Sequence, residues 1–153
     1  MRDLLTVLDK EIKAFEDLKN MLKVQRESII KRNLDGIYEA ATKIEEIVLT
    51  IEKLEEERSK EFDNLKNSLG ISKSASLKDL MERLENKEVS EKIYQMIKVI
   101  NDVTIELRGI TQILEFQEKY VNFLLGFFSS SDVYRENGKM DRANGSVFLD
   151  GRF

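Results

Sequence analysis

Apolar residues at alternating steps of three and four constrain the second half of this 153-residue chain more than any other feature. From Val89 the series runs Ile93, Met96, Ile100, Val103, Leu107, Ile110, Leu114, Gln117, Val121, Leu124 and Phe128, polar only at Gln117. Residues at that spacing share one face of an α-helix, whereas a strand repeats every two. The spacing predicts one long helix over about 88–129. A second series, Ile113, Phe116, Tyr120, Phe123 and Phe127, keeps the same step on an adjoining face. Its upstream equivalents are Gly109, Glu106 and Asp102, so the extra apolar face begins late in the helix.

The rest of the chain follows the same period. Leu5, Leu8, Ile12, Phe15, Leu18, Leu22, Gln25 and Ile29 define a helix over about 3–31. Ile37, Ala41, Ile44, Val48, Ile51, Glu55, Arg58, Phe62, Leu65 and Leu69 define another over about 34–69. Asn33 and Asp35 suit helix caps, and Gly36 tolerates an unusual backbone angle, so a tight reversal is expected over 32–36. Gly70 ends the second helix, as glycine commonly does one residue past a helix. Ser76 and Asp79 form a capping arrangement for a short connector helix over 77–85. The expected fold is all-α: an elongated antiparallel hairpin plus a long carboxy-terminal helix, a three-helix bundle or coiled coil. One helical domain covers 1–131. Past Ser129-Ser130-Ser131-Asp132 the period stops, and 132–153 is expected to be a flexible or docking tail.

Composition agrees with this and excludes several functions. Proline is absent and 35% of residues are charged, which favours long helices. With 25 basic against 29 acidic residues and a pI near 5.1, the chain lacks the positive charge that binds phosphate backbones, so nucleic acid is not an expected partner. Without cysteine there is no disulfide and no thiolate metal site, and a cytoplasmic location is expected. The start Met1-Arg2-Asp3-Leu4 is no signal peptide, and no apolar run reaches the roughly 20 residues a bilayer asks for. Histidine is also absent, which removes the usual general base and metal ligand. Consecutive glutamates such as Glu55, Glu56 and Glu57 fan around a helix and do not converge. No catalytic residue, metal site or cofactor is expected, and the chain reads as a non-enzyme.

Two features remain for interpretation. If the hairpin turns near Asn33, Arg58 should lie close to Asp9 and Glu55 close to Ile12, giving a partly buried ion pair that sets the register of the two helices. The late apolar face has two readings. It could be double-sided core, because a third helix in a bundle touches two neighbours. It could instead be a partner site, since unpartnered apolar surface marks one. Counting residues at 1.5 Å each carries the long helix past the hairpin tip near residue 123, so that Phe127 and Phe128 overhang. Burying each phenylalanine would contribute roughly 1.5–3 kcal/mol, against an association cost of about 4–15 kcal/mol. A homodimer could use such a face as well. A membrane-surface role is disfavoured, because Glu115 and Glu118 stand there against a single Lys119.

Several segments together resemble the FlgN family of flagellar export chaperones. These are Leu4-Leu5-x-x-Leu8, Arg26-Glu27-Ser28-Ile29-Ile30, Leu54-Glu55-Glu56-Glu57-Arg58 and, most distinctively, Tyr134-Arg135-Glu136-Asn137-Gly138-Lys139. The closing Ser146-Val147-Phe148-Leu149-Asp150 is similar too. The resemblance covers nearly the whole chain; the aromatic run from Phe116 to Phe128 is a departure, not a family motif. It implies a cytoplasmic type III export chaperone that binds the terminal helices of hook-associated proteins, prevents their premature assembly and delivers them to the export gate. On that reading Ile113, Phe116, Tyr120, Phe123, Leu124 and Phe127 hold the client's carboxy-terminal helix, while Tyr134 and Gly138 dock on the gate. The alternative is a structural coiled-coil homodimer or adaptor with no export role.

Overall fold

A computed structural model describes residues 2–136, with side chains described through residue 129. Four helices follow one another: α1 (Arg2–Ile30), α2 (Leu34–Ser68), α3 (Leu77–Leu84) and α4 (Lys87–Glu136). Among the described residues there is no strand, and the helices pack as an all-α bundle. The helix boundaries expected from periodicity agree closely for the first three. At the last, α4 passes Ser129 and continues to Glu136, because the serines there carry no glycine or proline that would stop it.

Local chemistry explains each helix end. At the end of α1 the Asn33 N–H donates to the Ser28 carbonyl at 2.8 Å and the Arg32 N–H to the Ile29 carbonyl at 3.1 Å. This paired closure requires a left-handed residue, and Arg32 supplies it with φ 58°. The unusual angle thus falls on Arg32 and not on Gly36. Gly36 lies inside α2 for a different reason: a Cβ there would stand 2.6 Å from Ser28 Oγ and 2.9 Å from Asn33 Nδ2. Asn33 caps α2, its side chain accepting from the Gly36 N–H at 3.1 Å. At the other end Gly70, with φ 68°, donates to the Asn67 carbonyl while Ile71 donates to that of Lys66. Ser76 and Asp79 cap α3 reciprocally, at 3.1 and 3.3 Å. Asn86 Oδ1 then accepts from the Val89 N–H at 3.1 Å to open α4.

Among the described residues the chain divides into two compact units, one ending at Leu107 and the other beginning at Arg108. In the first unit α1 is the central helix. Its buried residues include Leu4, Val7, Leu8, Ala14, Leu18 and Leu22, an arc wide enough to serve two neighbours. One is α2, antiparallel across the hairpin. The other is the first part of α4, which runs parallel to α1, since Asp9, Lys19 and Arg26 meet Lys92, Asp102 and Glu106 in the same order. Leu4, Leu8, Val89, Ile93 and Met96 form the core cluster at the base of this unit, backed by Phe62 and Leu65 of α2 and by Met81 and Leu84 of α3.

Three sequence expectations about this core are corrected. Arg58 pairs with Glu11 and not with Asp9, its Nη1 standing 3.0 Å from Glu11 Oε2. Asp9 instead meets Lys92 Nζ of α4 at 2.6 Å. Two residues along a helix turn the side chain by about 200°, so Asp9 and Glu11 address opposite neighbours. On α2 it is Leu54 that is buried, while Glu55 is exposed. On α4 the buried face passes through Val99 and Glu106, leaving Ile100 and Leu107 exposed. A repeat of three and four leaves adjacent residues competing for one seam, and α1 lies on the side of Val99, Asp102 and Glu106.

Candidate functional site

The second unit carries the late apolar face, and the helix alone sets its geometry. Phe116 and Tyr120, four residues apart, stack with centroids 6.5 Å apart and planes within 8°. Phe127 and Phe128 meet edge to face at 5.6 Å and 81°. These rings are not enclosed: Phe116, Tyr120, Phe123 and Phe127 expose 70, 52, 67 and 61% of their surface. Ile113 and Leu124 are half-buried beside them. A double-sided core would enclose all of these rings.

The exposed area is broader than the second series alone. Val121, Leu125 and Phe128 are exposed too, although Val121 and Phe128 read from the sequence as members of the packing seam. Leu125 belongs to neither series, and the clustering of three phenylalanines and two leucines within 123–128 is the only sequence signal that could have included it. Glu115, Glu118 and Lys119 interrupt the surface with few charges. Such a face can take up another apolar helix by burying area.

Tyr134 lies on the last turns of α4, with its side chain beyond the described part of the structure. Gly138 and Ser146–Asp150 lie outside the described residues. The structure therefore groups the six residues of the apolar face on one helix.

Elsewhere, an open cavity of about 300 Å³ in the first unit is lined by Phe62, Leu80, Ile93 and Met96, with Arg58 and Lys66 among its polar lining residues. Among the described residues no three carboxylates are placed to hold a metal ion. No described helix is long and apolar enough to cross a membrane.

The FlgN protein family matches residues 1–142, nearly the full chain. The chain belongs to the FlgN family. Membership implies a flagellar export chaperone that binds flagellar proteins. No curated protein and no solved structure matches the chain. The aromatic face of α4 is the largest run of solvent-facing rings among the described residues.

Proposed function

We propose that this chain is a cytoplasmic type III export chaperone for hook-associated proteins. It holds the carboxy-terminal helix of its client against Ile113, Phe116, Tyr120, Phe123, Leu124 and Phe127, prevents premature assembly and delivers the client to the flagellar export gate. The supporting observation is the exposure of four aromatic rings at helical spacing on α4. A soluble chain that keeps such a stripe in water carries a standing aggregation hazard, which a binding role explains. Full burial of each phenylalanine contributes roughly 1.5–3 kcal/mol, so the stripe can meet the association cost of about 4–15 kcal/mol only with help from its neighbours. Val121, Leu125 and Phe128 supply that additional apolar surface. Tyr134 and Gly138 dock on the export gate in this reading, which rests on their match to the family's terminal pattern.

Capture of a purified hook-associated protein by the Phe123→Asp/Phe127→Asp variant tests the assignment. Loss of capture with helicity retained is expected, and unchanged capture removes the stripe from the site. A truncation after Ser131 separates client holding from gate docking: it should keep the client and lose the gate. The competing homodimer predicts a concentration-independent dimer in sedimentation, dissociating only on unfolding.

A further inference from the structure

We infer that α4 parts locally from α1 above Met96 while its base stays closed, so that the first unit has an opening built into it. The two ends of the α1–α4 contact are built differently. At the base, Leu4, Leu8 and Val89 are completely enclosed, and Asp9 meets Lys92 at 2.6 Å. Higher up, Lys19 stands 3.9 Å from Asp102 and Arg26 stands 3.5 Å from Glu106. Glu106 is buried, yet its Oε2 receives no aligned hydrogen bond. A carboxylate withdrawn from water without aligned donors opposes the closed state, and water entering the gap would solvate it. Four apolar side chains buried on these two helices, Leu18 and Leu22 of α1 and Val99 and Val103 of α4, would become accessible in the same motion.

The parallel arrangement sets the direction of the movement. The base is held by the core cluster together with Phe62, Leu65, Met81 and Leu84 from α2 and α3, so α4 pivots there and separates above it. Local openings of this kind occur below the free energy of global unfolding when part of an interface is poorly satisfied. For a chaperone, on the reading above, this is apolar surface kept hidden until α4 moves.

The chain has no cysteine, so one introduced thiol reports one position. Labelling of free protein by dithionitrobenzoate in the absence of denaturant should be roughly tenfold faster for Val103→Cys than for Ile93→Cys, as local opening predicts. Adding Glu106→Leu to Val103→Cys should slow labelling roughly tenfold, because the closed state no longer encloses a carboxylate. It should leave Ile93→Cys unchanged. Val99→Cys and Met96→Cys form a second pair should either of the first lose its helical signal. Equal labelling of upper and lower thiols, or a rate insensitive to Glu106→Leu, overturns the inference. No client enters the assay, so its failure is separate from failure of the chaperone reading.

Discussion

Arg58 of α2 reaches across the hairpin to the enclosed carboxylate of Glu11 in α1, Nη1 to Oε2 at 3.0 Å, and the same nitrogen lies 3.6 Å from Met96 Sδ of α4. One guanidinium thus meets both other long helices. Glu11 has no exposed surface, and its Oε1 has no hydrogen-bond partner. Removing one member of a buried pair leaves the other charge stranded at a cost of about 3–5 kcal/mol, whereas apolar replacement of both is often neutral or better. Arg58→Met should therefore lower stability in urea titration by about 3 kcal/mol. The double variant Glu11→Leu/Arg58→Met should recover most of it.

The same carboxylate should respond to pH. Burial pushes the Glu11 carboxyl above its ordinary value, the Arg58 charge pulls it partly back, and Glu55 adds to the rise. A group raised on folding contributes stability that is complete below its unfolded value and lost as pH rises through its folded value. Acidification from neutral pH into the ordinary carboxylate range should therefore favour the wild type relative to Glu11→Gln. Urea titrations of both proteins at pH 7.5, 5.5 and 4.5 provide the check, since the difference between them cancels other carboxylates to first order; a difference independent of pH contradicts the expectation.

Gly36 should resist alanine although it lies in a helix. Alanine is favoured over glycine in helices by about 1 kcal/mol, but its Cβ would meet Ser28 Oγ and the cap residue Asn33. Displacing that cap costs about 1 kcal/mol and the displaced serine adds to it, so Gly36→Ala should be net destabilising by several tenths of a kcal/mol. Ser28→Ala in the same chain should return part of the loss, as thermal melts of the four proteins of the cycle would reveal.

Arg32 offers a gain. A left-handed backbone costs an L-residue roughly 1–2 kcal/mol, while glycine loses roughly 0.5–1 kcal/mol more chain entropy on folding. With φ at 58°, Arg32→Gly should raise stability by about 0.5 kcal/mol, and its melting temperature should rise accordingly.

The aromatic stripe should separate stability from binding. Because Phe123 and Phe127 are largely exposed, changing them to aspartate should move unfolding free energy by no more than about 0.5 kcal/mol each. A collapse of the fold in either variant would show that these rings are structural.

Much of the architecture is legible in order along the chain. Gly70 and the Ser76–Asp79 box announce their helix ends because capping is settled within a few residues of backbone. The series from Val89 to Phe128 announces a long helix for the same local reason. The late stripe was legible as surplus apolar spacing, but neither its exposure nor its extension to Leu125 could be read from spacing alone. Choices between neighbours were hidden: Asp9 against Glu11 for Arg58, Ile100 against Val99 on α4.

By itself the sequence determined an all-helical chain without thiol or imidazole chemistry, with its turns at Asn33 and Gly70 and a resemblance to one family of export chaperones. Helical period and capping act over a few residues, so they are written in order along the chain. Only the tertiary structure decided that α1 is the central helix, that Glu11 takes Arg58, and that the rings of α4 face water. Each of those depends on which of two adjacent faces meets a neighbouring helix, and a rotation of 100° per residue separates faces that a three-four repeat treats as equivalent.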